Sequence, residues 1–411
     1  MTDREIKDME YGAGVQLSPI ATQLKESSIR TIANFGMTQP DVTPLWFGES
    51  DIPTPEFIRQ AASDSLSQGD TRYTPNNGAP ALRRALADYQ RRLYHTPFDE
   101  NNIVVTVSGT NAIMLAAQTC VSAGDKVVVI TPVFPTLFAV PELLGAKVVQ
   151  HPLIQVDNRF ELDLDALFSQ AKDAKAIIIN SPANPTGWCA SQQEVEAICQ
   201  FARTHHVWVI ADEVYARHTY ESESAPSFCQ FMKESDPIIV CNSFSKAWSM
   251  TGWRLGWLTL PKSITPTITK LIEYNVSCAP GFVQAGGLAA VTQGESFIEQ
   301  SRERYTQARA LVLKWLSDIP GTTLYDMPAT FYAFLKIEGL GDNSQPYILQ
   351  MIEKAKVGVA PGEAFGQGGE GHLRICYGCD LKRLNQALSQ LRAYLIAHPC
   401  RNNEDESAIL K

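Results

Sequence analysis

The sequence predicts an α/β protein: a large domain with a mostly parallel sheet flanked by helices, joined to a smaller α+β domain. Three observations predict it. Between about residues 54 and 290, short β-branched runs alternate with helical patterns. Those runs are nearly all apolar instead of alternating, which marks strands covered on both faces, as in a parallel sheet between helix layers. After residue 290 the alternation gives way to one long helical pattern, two separated strands and a final helix. The chain has 411 residues, 45% apolar and 19% charged. That is enough for two cores and too little charge for a disordered chain. The expected division is 49–290 for the large domain, 17–48 with 291–400 for the small one, and 1–16 and 401–411 as tails.

The elements follow in order. "PALRRALADYQRRLY" (80–94) is amphipathic at helical spacing. Strands are expected at 102–107, 126–130, 176–180, 207–211, 237–241 and 254–260. Helices are expected between most of them, at 111–121, 136–144, 163–171 and 191–205. The second unit should carry a helix over 295–317, strands at 331–337 and 372–377, and a closing helix over 380–397. The segment before residue 48 is expected to fold back onto that unit.

Composition excludes several functions. The formal net charge of −9 makes nucleic acid an unsuitable partner. The opening "MTDREIKDMEYG" has no apolar run behind its charges, so no secretory signal is read there. The most apolar stretches are strand-length and too short to span a bilayer. These features predict a soluble cytoplasmic protein without a membrane partner. Nine scattered cysteines point to free thiols over a disulfide framework. "CYGC" (376–379) has redox spacing, but it follows a strand instead of opening a helix, and no second pair completes a zinc site. The seven histidines show no metal spacing. "GEAFGQGGEGH" (362–372) lacks the strand–turn–helix context of a dinucleotide loop.

In such sheets ligands bind beyond the carboxyl ends of the strands. "SGTNA" (108–112) would open a helix with free amides suited to a phosphate, through Gly109 and Thr110. Phe134 follows the next strand and could cover a planar ligand. Asn184, in "SPANPTG", could aim its amide at the same place. In "DEVY", Asp212 is a carboxylate directly after an apolar strand, with Tyr215 one turn later. In "NSFSKAW", Lys246 follows Ser243 and Ser245, and desolvation there would make its amine nucleophilic. Each feature alone has an ordinary reading: a βα turn, a core Phe, a turn-closing Asn, a helix cap or buried ion pair, a snorkelling Lys. Together they place a phosphate cradle, a flat aromatic, an amide, a carboxylate, a phenol and a lysine on one sheet edge. Pyridoxal phosphate (PLP) asks for that set, with lysine at its aldehyde and a carboxylate at its protonated ring nitrogen.

Over roughly residues 17–395 the chain resembles the fold type I PLP-dependent aminotransferases of class I/II. The resemblance is carried by "SFSKAWSMTGWRLGW", "NPTG" and "DEVY" in the family's order. It implies that Lys246 binds the cofactor covalently and later moves the substrate proton. Asp212 would pair with the ring nitrogen, Tyr215 and Asn184 with its phenolic oxygen, and Phe134 with its face. Gly109, Thr110, Ser243, Ser245 and Arg254 would hold the phosphate. "DTRYTPNNGAPALRRAL" (70–86) resembles the segment whose tyrosine, here Tyr73, reaches the neighbouring subunit's phosphate, which implies a homodimer with shared active sites. "GEGHLRICYG" would supply Arg374 for the substrate α-carboxylate, and "LWFGESDIPTP" would supply Gly48 beside it. Ser50 stands where relatives commonly carry proline.

The activity implied is transfer of an amino group from an L-amino acid to a 2-oxo acid by a ping-pong route. A C–S lyase using β-elimination is the enzymatic alternative. A PLP-sensing regulator is disfavoured, because the match leaves no room ahead of it for a DNA-binding domain. The side-chain pocket is expected near "SPIATQL", Phe47, Phe331 and the partner subunit, with no second arginine assignable to a dicarboxylate.

Overall fold

The structure, a computed structural model, describes residues 17–400. Its centre is a seven-stranded sheet. In chain order the strands are β1 (Ile103–Thr106), β2 (Lys126–Thr131), β3 (Lys147–Pro152), β4 (Ala176–Asn180), β5 (Trp208–Asp212), β6 (Ile238–Ser243) and β7 (Gly256–Thr259). Their spatial order is β1-β7-β6-β5-β4-β2-β3. All neighbours run parallel except β7, which is antiparallel to β1 and β6. The run "AIIIN" shows why these strands lack alternation. Ile177 and Ile179 face one core cluster while Ala176 and Ile178 face another, and all are buried. Side chains of a strand point alternately to opposite faces, so a sheet covered twice needs apolar residues at every position.

The covering helices start and stop where local chemistry dictates. Ser191 caps the helix Gln192–His205 by accepting from Glu194 N (3.2 Å), and the Glu194 carboxylate accepts from Ser191 N (2.6 Å). Two of the four unpaired amides of the first turn are thereby satisfied. His206 ends that helix in the left-handed conformation. The amphipathic helix Pro80–Tyr94 buries Leu82, Leu86 and Tyr89.

A second sheet has strands β8 (Thr322–Leu324), β9 (Tyr332–Ile337), β10 (Ala360–Pro361) and β11 (His372–Cys376), in the antiparallel order β8-β9-β11-β10. Thr43–Pro44 pairs in parallel with Val357–Gly358. Trp46 fills the space beside that pair, since a Cβ on Gly358 would lie 2.0 Å from its ring. Phe334, Ala360 and Phe365 share a core with β4 and β5, so the two sheets meet through apolar contact. Val133 N donates to Phe365 O (2.8 Å) beside that contact. A buried polar knot forms where the long helix Glu295–Leu316 begins. Arg217 donates to Tyr89 Oη (2.7 Å) and to the Glu295 carboxylate.

Several elements differ from expectation. Strand β3 was not expected: it is half-exposed at the sheet edge and closes on Gln150, His151 and Pro152, so it lacks an apolar run. The helices Thr265–Asn275, Gly281–Gln293 and Gln345–Ala355 were not expected either. Tyr215 does not lie on a helical turn, because residues 214–217 form a non-helical turn after β5.

Candidate active site

Every residue assigned from the sequence to the cofactor or the substrate α-carboxylate, except Tyr73, lines one cavity of about 260 Å³. Gly109 and Thr110, Phe134, Asn184, Asp212 with Tyr215, and Ser243 to Lys246 follow β1, β2, β4, β5 and β6 respectively. The cavity therefore sits at the carboxyl ends of the parallel strands, where helix N-termini and strand ends leave backbone groups unused. Arg374 enters from β11 and Gly48 from the N-terminal segment. Tyr73 lies elsewhere and is 89% exposed.

One end of the cavity is built for an anion. Gly109 opens a helix of 12 residues, so its amide and that of Thr110 have no intrahelical partner. Ser108 caps the helix by accepting from Asn111 N (3.1 Å). Ser108 adopts φ 99°, outside the usual range for a side-chain-bearing residue, and that bend turns the helix start toward β6 and β7. Ser243 Oγ lies 2.9 Å from Ser245 Oγ. Arg254, also left-handed at φ 53°, is anchored by donation to Thr251 O (2.6 Å). Gly256 lets β7 pass close by: a Cβ there would lie 2.7 Å from Ser108 C and 2.8 Å from Gly109 N.

The middle holds the titratable groups. Asp212 accepts from Val214 N (3.2 Å) and otherwise faces the cavity. Burial raises its carboxyl to about 7, against the smaller opposing effects of that hydrogen bond and of Lys246. Burial lowers the Lys246 ammonium to about 8. Its Nζ donates to Gly48 O and stands 5.7 Å from the centre of the Tyr215 ring. Asn180 fixes this floor by donating to Asp212 O (3.0 Å) and accepting from Asn184 N (2.8 Å).

At the far end, Arg374 is fully buried, donating to Asn184 Oδ1 (3.0 Å) and to Trp46 O. Its Nε has no hydrogen-bond partner among the described residues. A buried guanidinium without a carboxylate beside it is costly unless an anion is meant to meet it. With Oδ1 of Asn184 occupied by Arg374, its Nδ2 hydrogens are left for the cavity. Sequence reasoning missed Tyr332, which lines the same cavity and shares a 2.5 Å hydrogen bond with Tyr215. It lies in the expected strand "FYAFLKI", where a tyrosine beside Phe331 carries no signal of its own. Phe331 itself is core and lines no part of the cavity, whereas Phe47 does.

The model of the family "Aminotransferase class I and II" matches residues 40–391. The chain belongs to that family. It is 33% identical over 375 residues to an aspartate aminotransferase of Pyrococcus horikoshii, covering 90% of this chain and 95% of that one. It is 32% identical to aromatic-amino-acid aminotransferase 2 of Thermococcus litoralis, covering 92% and 98%. Among solved structures it superposes on a single mutant of Thermus thermophilus aspartate aminotransferase with a TM-score of 0.86, at 28% identity, covering 93% and 100%.

This aminotransferase is thus a PLP-dependent enzyme that moves amino groups between amino acids and 2-oxo acids. The C–S lyase alternative is not favoured. The cavity fits the cofactor on its own terms. It offers an anion cradle kept open by Gly109 and Gly256, a buried carboxylate with an unused oxygen and a buried amine. Among the described residues no helix is long and apolar enough to cross a membrane, and no group of three or more His, Cys, Asp or Glu could hold a metal ion.

Proposed function

We propose that this aminotransferase takes its amino group from L-amino acids with large apolar side chains and passes it to a 2-oxo acid in two half-reactions at one site. The observation that carries this reading is a second chamber of about 810 Å³ beside the first. The two share Ile29, Phe47, Phe134 and Thr136 as walls. Ile20, Leu24, Phe138 and Leu143 continue the outer wall. Charged groups also line it, namely Lys25, Glu26, Arg30, Glu142 and Glu363; of these, Arg30 lies over the Phe47 ring at 4.6 Å, and Glu363 binds the Ser344 amide and hydroxyl. The apolar part of the wall rewards an aromatic or long aliphatic side chain more than a short carboxylate.

The cofactor, when bound, supplies an aldehyde that accepts the amine and a ring that withdraws electrons from Cα. The chain's own residues would do the rest. Gly109 N, Thr110 N, Ser243 Oγ, Ser245 Oγ and Arg254 would hold the phosphate by charge-assisted hydrogen bonds. Asp212 would keep a proton at the ring nitrogen. Phe134 would cover the ring, and Tyr215 Oη with Asn184 Nδ2 would donate to its phenolic oxygen. Arg374 and Gly48 would fix the substrate α-carboxylate and thereby choose which Cα bond is weakened. Lys246 Nζ would hold the aldehyde carbon in the resting enzyme and then carry the proton from Cα.

Two further assignments belong here. A homodimer with shared sites is supported by Tyr73, whose ring stands clear of its own cavity. Residues 49–290 would form the large domain, and 17–48 with 291–400 the small one. A cytoplasmic location agrees with nine cysteines that are all free. A panel of amino donors tests the substrate reading, with conversion of the cofactor to its amine form as readout. Phenylalanine and leucine should react well ahead of aspartate; preference for aspartate by tenfold or more would overturn it.

A further inference from the structure

We infer that Tyr332 is a positioning residue of the transfer reaction: its hydroxyl donates to Tyr215 Oη and so turns the Tyr215 proton into the cavity, while its ring supports the Arg374 guanidinium. This rests on the roles given above to Tyr215 and Arg374.

The strand register explains how one side chain reaches both. Tyr332 opens β9 directly opposite Cys376, and Arg374 lies opposite Phe334. Tyr332 and Arg374 are therefore diagonal neighbours on one face of the sheet, within reach for long side chains. The guanidinium carbon stands 4.8 Å from the centre of the Tyr332 ring. At that separation, in a dry interior, the ring's quadrupole attracts the cation and holds its plane. Both side chains are fully buried, and the Phe365 ring, 4.9 Å from the same carbon, is the guanidinium's other aromatic neighbour.

The hydroxyl has one place to donate. Tyr332 Oη lies 2.5 Å from Tyr215 Oη, and no other protein acceptor meets it among the described residues. On its other side stands Gly48, where a Cβ would come within 1.9 Å of Oη. Burial raises both phenols well above their usual range, so both stay protonated at neutral pH. A phenol gives one proton and accepts at its lone pairs. If Tyr332 donates to Tyr215, the Tyr215 proton is free to point at a cavity acceptor, and accepting the bond makes Tyr215 a stronger donor. A tyrosine serving only as core would need any acceptor for its hydroxyl; this one has a cavity phenol and nothing else.

Absorbance of the bound cofactor titrated against pH tests the relay. Tyr215→Phe removes the donor outright and should move the midpoint upward, since the cofactor's phenolic oxygen loses a hydrogen bond to its charged form. Tyr332→Phe removes only the distant hydroxyl and should move it in the same direction by less, roughly 0.3 units. In the Tyr215→Phe background, Tyr332→Phe should add nothing. An unchanged midpoint in Tyr332→Phe, with a shift in Tyr215→Phe, would overturn the relay while sparing the role of Tyr215. No shift in Tyr215→Phe would instead sink the reading beneath it. For the ring, binding of hydrocinnamate to the holoenzyme should be unchanged in Tyr332→Phe and weaker by roughly tenfold in Tyr332→Leu. Equal affinity in both variants would remove the support of Arg374 from the proposal.

Discussion

Lys246 has its amine in a place where charge is expensive. Burial brings its ammonium down to about 8. Only the neutral amine attacks an aldehyde, so cofactor uptake by enzyme stripped of PLP should speed up as pH rises through about 8 and then level off. Stopped-flow absorbance at several pH values checks this. Lys246→Ala should abolish both transfer and the visible absorbance of the covalently held cofactor; an active variant would sink the assignment. Asp212 moves the other way. Its folded-state value of about 7 lies above its ordinary 3.8. Between those values the folded protein keeps a proton that the unfolded chain has released, so this group's contribution to stability declines as pH rises through the window. Burial shifts Glu213 upward and His218 and His372 downward, so the contribution is read as a difference. The cofactor-free Asp212→Asn protein should gain on wild type from pH 4 to pH 8, by a few kcal/mol at most. Urea denaturation at the two ends decides. Lys246 and Asp212 were legible as candidates because each is an ionisable residue placed where an apolar strand ends. Tyr332 was not, because a tyrosine in a strand needs no explanation until its hydroxyl's partner is seen.

At the scale of elements, legibility followed burial. β2, β4 and β5 are covered on both faces and stand out as apolar runs, whereas the edge strand β3 does not. The helix Gly281–Gln293 was missed for a different reason: its glycines weaken the helical signal. They are there for close packing, since a Cβ on Gly286 would lie 2.6 Å from the Trp253 ring and one on Gly287 2.5 Å from Leu255. The same logic makes a prediction at β7. Gly256→Ala would push a methyl into the backbone of Ser108 and Gly109. The strand is paired on both sides and cannot retreat, so the helix start must move. Affinity for PLP should fall by tenfold or more, while far-UV circular dichroism is unchanged. In the sheet interior, Ile177→Ala should cost about 2–5 kcal/mol, the range for emptying a buried aliphatic site.

Across the whole molecule, the two sheets share apolar core, and Arg217, in the turn after β5, joins two of the helices around them. Its side chain is 4% exposed and ties Tyr89 of one helix to Glu295 at the start of another. Arg217→Leu leaves Tyr89 Oη without its partner and Glu295 with Arg92 alone, and calorimetry should record a loss of about 1–3 kcal/mol. That the chain builds two sheets was readable because the pattern of alternation changes near residue 290. The shared core was not, since Phe334, Ala360 and Phe365 are distant in sequence from β4 and β5 and carry no shared motif. The groups that surround the cavity come mainly from the ends of five parallel strands, from β9 and β11 and from the N-terminal segment. A molecule lodged there acts as a thermodynamic clasp on the whole chain. Opening any one of those strands forfeits its binding energy, so resistance to unfolding becomes a function of cofactor concentration. A hundredfold excess over Kd adds about 2.7 kcal/mol. For this enzyme vitamin supply and thermal endurance are one variable, and its melting temperature is an assay of how much PLP surrounds it.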